Sequence, residues 1–265
     1  MRTWALLGCL LAASCVTAER PLSVSGGAGE SVTAPDGGLT EANYQAIVNA
    51  PDRLPLDREI DPGRHPAELL AFLGVEPGMR VGELFAGAGY TAELIARAVG
   101  PTGVVYAENP NVVLQQVERP FTQRLARPAV RKIVRVDREL ESPFPPEVTD
   151  LDLVVLNLAY HDTVWLGVDR DRMNRGVFAA LKKGGRYAII DHSARKGRGV
   201  ADAQTLHRID EEVVRDEVAR AGFVLQREGA FLRNPRDLHD WNASPSEAGQ
   251  RRGTSDRFAL IYAKP

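Results

Sequence analysis

The chain of 265 residues has only two cysteines, Cys9 and Cys15, both close to its start. Everything after them is without a disulfide framework, a thiolate nucleophile or a cysteine-based metal site. No apolar run is long enough to span a bilayer as a helix; the stretch from Ala5 to Ala13 is too short. No basic stretch is interleaved with aromatic residues, so nucleic acid is not an expected partner. There is no internal repeat and no tight helical ligand pair of the His-Glu-x-x-His kind. A net charge of −2 with 26% charged residues is ordinary for a soluble domain.

What is present begins with a leader. Arg2, the short apolar stretch and the small residues after it are features of a signal peptide. Ala12-Ala13-Ser14-Cys15 resembles a bacterial lipobox, in which the cysteine is lipidated; Leu6-Leu7-Gly8-Cys9 matches in letters but has almost no apolar region ahead of it. Cleavage near Ala18 with release to the periplasm is the alternative. The expectation is export, with membrane contact only through an N-terminal lipid anchor. Residues 1–18 are the signal peptide, residues 19–40 a Gly/Ser/Ala/Thr-rich tether, residues 41–65 a helical extension and residues 66–265 the folded domain. The roughly 225 residues after the tether suffice for one full-sized core.

The periodicity predicts helices over 44–50 and 66–73, the second opened by Pro66 and closed by Gly74. A strand enters at Gly78-Met79-Arg80-Val81, a helix runs over 91–99, and Val104-Val105-Tyr106 is the next strand. A weaker helix over 115–125 is expected to break at Pro120, and residues 131–136 read as a strand. The run over 151–158 (LDLVVLNL) is a strand buried on both faces. Met173, Val177, Phe178 and Leu181 share a helical face, and Lys182-Lys183-Gly184-Gly185 turns into a strand over 186–190. A long amphipathic stripe from Leu206 to Ala221 stops at Gly222, and residues 223–227 and 258–263 close the chain as two strands. Strand–helix alternation implies an α/β fold with a doubly wound, mostly parallel sheet, and the last strand pair implies one antiparallel strand at or near an edge.

The most informative stretch runs from Met79 to Asn109. Gly87 and Gly89 let the backbone turn and leave room for a ligand. Glu108 falls about 20 residues further on, where an acid grips a ribose diol. Gly87-x-Gly89-x-x-Ala92 also fits a dinucleotide fingerprint, but Glu83 just before the turn would repel a pyrophosphate. A second carboxylate suits an ammonium and a sulfonium, both of which S-adenosylmethionine carries. The pattern resembles the cofactor loop of the class I S-adenosylmethionine-dependent methyltransferases, with Phe85 where that family has its first glycine.

The resemblance covers roughly residues 66–264 and implies a seven-stranded, Rossmann-like sheet with S-adenosylmethionine as cofactor. Around Glu83, Gly87, Gly89 and Glu108 it implies cofactor contacts from Tyr90, Thr91, Asn109 and Asn157, and an adenine contact from Asp137. Asn157-Leu158-Ala159-Tyr160 stands where some amino-directed methyltransferases carry Asn-Pro-Pro-Tyr, and only its outer residues match. More narrowly, Tyr160-His161-Asp162, Asp191-His192-Ser193, His207-Arg208-Ile209-Asp210 and Thr254-Ser255-Asp256-Arg257-Phe258 resemble a bacterial family of exported predicted methyltransferases. That likeness implies no substrate.

Ligands of open α/β sheets bind beyond the carboxyl ends of the strands. Of five histidines in the chain, His161, His192 and His207 are all expected at that edge, which random scatter would not favour. Methyl transfer requires an aligned nucleophile and, where needed, a base. His161 is the first candidate for that base and His192 the second, with Asp162 and Asp191 as orienting partners and Tyr160 beside them. His207 and Asp210 are expected on one face at the start of a helix, and with Arg208 and Arg233 they are candidates for binding the acceptor. Two other readings stay open. One is an exported module that binds a nucleoside or metabolite without catalysis, which Phe85 favours. The other places a metal among the rim histidines and acids, although no tight ligand motif marks one.

Overall fold

The computed structural model describes residues 38–265. The signal peptide, the lipobox and all but the end of the tether lie outside the described residues. No helix among the described residues is long and apolar enough to cross a membrane.

The helical extension forms two helices, α1 (Glu41–Val48) and α2 (Pro55–Arg64). A reciprocal Thr40–Asn43 capping box opens α1, and the Tyr44 hydroxyl donates to the Val75 carbonyl at 2.9 Å. The extension thus packs on the domain rather than trailing from it. α3 (Pro66–Leu73) starts with proline at its first position and ends on Gly74 at φ 58°.

The doubly wound core follows as β1 (Arg80–Leu84), α4 (Tyr90–Val99), β2 (Val104–Asn109), α5 (Asn111–Leu125) and β3 (Ile133–Asp137). After it come β4 (Leu151–Asn157), α6 (Asp162–Trp165), α7 (Arg170–Ala180) and β5 (Leu181–His192). The chain ends through α8 (Ala203–Leu206), α9 (Glu211–Arg220), β6 (Val224–Gly229) and β7 (Arg257–Ala263). The seven strands lie in the order β3-β2-β1-β4-β5-β7-β6. β1 to β5 pair in parallel, and β7 alone runs antiparallel, between β5 and β6. The mostly parallel seven-stranded sheet with one reversed strand near its edge is therefore as expected.

Period-two alternation builds a core on each face. Leu153 and Val155 of β4 face α3 and α4, whereas Val154 and Leu156 face α7 and α9. All four are fully buried, each stabilising the fold by about 1.5–3 kcal/mol relative to exposure. At Gly82 a Cβ would collide with the Phe144 ring, so glycine is required for that face to close.

Two expectations change. α5 is one helix from Asn111, carried through Pro120, with the proline only removing one backbone bond instead of ending it. The stripe from Leu206 onward is not one helix. His207 adopts φ 50°, Ile209 forms a parallel bridge to Ser193, and α9 starts afresh with Asp210 as its N-cap. His207 and Asp210 thus do not share a helical face.

The winding reverses between β1 and β4, the neighbours from which the chain moves outward in opposite directions. A crevice opens at such a switch point, beyond the strands' carboxyl ends. The Phe85–Gly89 turn and the Leu158–Asp162 loop are thereby brought face to face. The Asn157 amide, donating to the Thr91 hydroxyl at 3.1 Å, ties the two sides together.

Candidate active site

A cavity of about 690 Å³ occupies the switch point. Its walls come from α2, the turn after β1, α5, the loop after β4, the end of β5 and the segment before β7. Gly87, His161, Asp162, His192 and His207 all line it, so residues scattered over 120 positions of sequence converge on one volume.

On the β1 side, the turn is held mostly by its own partners. Gly87 takes φ 58° with open space where a Cβ would stand. The Asn109 carboxamide accepts from the Gly87 amide at 2.7 Å and donates back to its carbonyl at 3.0 Å. The Phe85 amide donates to the Glu108 carboxyl at 3.1 Å, the Ala86 amide to the Glu108 carbonyl at 2.8 Å, and Arg124 reaches the Ala88 carbonyl at 2.6 Å. Phe85 itself sits at φ 56°, a conformation that costs a non-glycine residue about 1–2 kcal/mol, and it lines the cavity.

Glu83 and Glu108 are both buried, and each has one carboxyl oxygen with no hydrogen-bond partner. Burial pushes Glu83 up to about 8, against the hydrogen bonds it takes from Thr91 and Ala92, and raises Glu108 well above the usual carboxylate range. This corrects the picture of two standing negative charges: burial favours the protonated form of both acids. The Phe85, Ala86, Gly87 and Gly89 amides of the turn are already taken by acceptors within the protein. Neither Glu83 nor Glu108 stands on the cavity wall; both are buried behind the turn.

The β4–β5 side is fully partnered. Asp191, wholly buried, accepts the His161 backbone amide and the His161 Nδ1, each at 2.7 Å. His161 Nε2 then stands 3.2 Å from Asp162 Oδ1 and 3.2 Å from His207 Nδ1. Burial lowers the affinity of His161 for a proton, but the Asp191 and Asp162 carboxylates outweigh it and lift the ring to about 10. Burial raises Asp162, and its bonds to His161 and His207 then bring it below the usual carboxylate range. His192 has the opposite environment. Burial, the His161 charge and nearby arginines keep it neutral, with Nδ1 2.7 Å from the Ser255 hydroxyl.

Several sequence candidates stand away from the cavity. The Tyr160 hydroxyl is buried between Glu217 at 2.8 Å and Asn174 at 3.0 Å, a packing role. Arg208 is fully buried on Asp237 at 2.9 Å and stacks over Trp241. Asp210 caps α9 and accepts the Gly197 amide at 2.6 Å, while Arg233 pairs with Glu211 at 2.5 Å. These three build the loop scaffold instead of facing a ligand. Tyr90 donates to Asp61 at 2.6 Å, and Asp137 lies in a separate shallow depression paired with Arg135 at 2.7 Å.

The sequence reading missed the cationic wall. Arg64, Arg252 and Arg257 line the cavity. Arg257 bonds only carbonyls, those of Gly63 at 2.7 Å and Gly253 at 3.1 Å among them, and burial followed by the Arg64 charge pulls it down to about 10. Arg64 lies 5.6 Å over the Tyr90 ring and forms no ion pair among the described residues. Arg64 lies about 190 positions before Arg252 and Arg257, and although Arg257 belongs to the Thr254–Phe258 motif, only the fold brings the three together.

No family model matches the chain. Over 121 residues the chain is 29% identical to the ubiquinone/menaquinone biosynthesis C-methyltransferase UbiE of Pasteurella multocida, a match covering 45% of this chain and 42% of that protein. It therefore spans less than half the length of that relative. Among solved structures, a SAM-dependent methyltransferase from Aquifex aeolicus aligns with a TM-score of 0.57 at 16% identity, covering 86% of this chain and all of that one. A protein described as a sarcosine dimethylglycine methyltransferase from Galdieria sulphuraria gives 0.52 at 18% identity, covering 78% of this chain and 86% of that one. The strand order, the reversed seventh strand and these alignments together establish that the chain has the class I S-adenosylmethionine-dependent methyltransferase fold.

Proposed function

We propose that the protein transfers a methyl group from S-adenosylmethionine to a small-molecule or envelope acceptor bearing an anionic group. One observation carries this reading: a single cavity joins the glycine turn after β1 to the histidines after β4 and β5. The site's chemistry fits the cofactor. Two buried carboxyl groups with unused oxygens flank a turn whose amides are already occupied, which suits a ribose diol and a cationic amino acid better than a phosphate. When bound, S-adenosylmethionine would supply a methyl group already activated on a cationic sulfur.

Glu108 would hold the ribose, and Gly87 would leave room beside it. Neutral His192 is the group free to take the acceptor's proton. His161, the first candidate from sequence, is kept protonated by its two carboxylates and serves poorly as a base in that state. Arg64, Arg252 and Arg257 would draw in a carboxylate or phosphate on the acceptor. Export, lipid-anchored or released to the periplasm, belongs to the same reading and is tested by the mass of the mature N-terminus after cell fractionation.

Calorimetry with S-adenosylmethionine and, separately, NAD tests the cofactor. Binding of the first alone is expected; binding of NAD alone would overturn the reading. A second reading, a binding module without catalysis, is favoured by Phe85, whose ring lines the cavity where the family carries glycine. Cofactor binding with no transfer to any offered acceptor pool would support it.

A further inference from the structure

Among the described residues, His161, Asp162 and His207 have ligand atoms that all lie within 4.8 Å of one another. Their nearest atoms form a compact triangle. His161 Nε2 is 3.2 Å from His207 Nδ1 and 3.2 Å from Asp162 Oδ1, and His207 Nδ1 is 3.6 Å from Asp162 Oδ1. Donors about 2.1 Å from one ion at roughly tetrahedral angles are about 3.4 Å apart. The triangle therefore has the donor spacing of a shared metal ion, which would take the place of the proton on His161 Nε2.

The supporting contacts match as well. A ligating histidine characteristically gives its other ring nitrogen to a carboxylate, which fixes its tautomer and aim. Asp191 does this for His161, with one oxygen on Nδ1 and the other on the backbone amide, so that Nε2 is turned into the triangle. The Trp165 indole donates to Asp162 Oδ1 at 3.0 Å and steadies that ligand. His207 is held at φ 50°, a strained setting of the kind that collects at functional sites. The backbone bends there so that the chain can leave α8 and bridge back to β5, which brings the ring against His161.

From this geometry we infer that His161, Asp162 and His207 form a binding site for a divalent transition-metal ion, zinc or iron(II) by donor type. Two imidazoles and one carboxylate on one side of an ion suit those metals rather than calcium or magnesium. All three residues line the cavity, so the remaining coordination positions face the ligand space. Three protein ligands with an open position are the pattern of catalytic, not structural, metal sites. The ion would sit where an oxygen or nitrogen of the acceptor could reach it. The site stands whether or not the protein binds S-adenosylmethionine, and it is tested without that compound.

The test uses the mature protein purified without a histidine tag and stripped with a chelator. Titration with cobalt(II) should give visible d–d bands of low-symmetry coordination, and zinc should displace it at one ion per chain by elemental analysis. His207→Asn, which tolerates the left-handed backbone, should weaken zinc binding by about 100-fold. Asp191→Asn, which leaves all three ligands in place, should weaken it by about tenfold. His239→Asn, outside the triangle and the cavity lining, should bind as wild type. The inference is overturned if no ion binds at micromolar concentration, or if His207→Asn and His161→Asn bind as tightly as the parent while circular dichroism reports native folds.

Discussion

The two walls of the cavity are built on opposite principles. Behind the β1–β2 wall, beneath the glycine turn, Glu83 and Glu108 each bury a carboxyl oxygen with nothing bonded to it. On the β4–β5 wall, Asp191 uses both oxygens on His161, and His161 meets both Asp162 and His207. An unpaired buried polar atom costs about 1–3 kcal/mol, which a bound ligand recovers by supplying the missing partner. A satisfied network is instead rigid before anything binds, which holds reacting groups in position. Under the proposed function, the difference matches recognition on the first side and chemistry on the second.

The largest effect should come from the chemical wall. His192→Ala removes the neutral ring and should lower kcat by about 100- to 10,000-fold, with cofactor affinity within a few-fold of the parent. Single-turnover kinetics against calorimetry checks this; a loss confined to affinity would move His192 to the recognition wall. Glu108→Gln should do the reverse. It keeps an acceptor for the Phe85 amide but loses an oxygen able to take two ribose hydroxyls, raising KM and the dissociation constant about tenfold with kcat nearly unchanged. An equal fall in kcat would erase the contrast between the walls.

Glu83 sharpens the comparison through pH. Its folded value, about 8, lies above its ordinary 4.5. Below 4.5 both folded and unfolded chains keep the proton, and its stabilising contribution is fully present. Between 4.5 and 8 the unfolded chain releases a proton that the folded chain retains, so stability falls as pH rises, by up to about 1.4 kcal/mol per unit. Glu83→Gln should flatten that slope in denaturant titrations, and Glu108 adds to the remainder in the same direction. A cation bound beside the turn would favour the ionised acid, so cofactor binding near neutral pH should release protons. Calorimetry in buffers of different ionisation enthalpy reads that release, and an uptake would contradict the assignment.

The fold was legible because its signals are local. The glycine turn after β1 and the apolar run of β4 each report their own geometry within a few residues, whereas the turn expected at Gly184-Gly185 falls within β5. The convergence of His161 and His192 was also readable, since they stand after β4 and at the end of β5, whose carboxyl ends share one edge. The arginine wall was not: Arg64 ends an extension helix, and Arg252 and Arg257 precede or open the reversed strand. Nor could spacing show that Arg208 and Asp210 turn inward to support loops, because a buried ion pair and a ligand-facing one have the same residue types. Protonation was equally hidden. Two glutamates near a turn read as anions until burial is known.

The smallest change tests which reading of Phe85 holds. Phe85→Gly removes a side chain from a left-handed residue, gaining about 1–2 kcal/mol of relieved strain but losing part of it to backbone entropy and lost ring contacts. Net stability should therefore move by less than about 1 kcal/mol in denaturant melts. Affinity decides between the readings. If the ring merely closes the acceptor end of the cavity, the glycine variant should bind S-adenosylmethionine within a few-fold of the parent and accept larger methyl acceptors. If the ring fills the cofactor's own place, the parent should bind poorly and the variant at least tenfold better. The second result would turn the β1–β2 wall from a cofactor cradle into a plugged one, and the module without catalysis would become the better description.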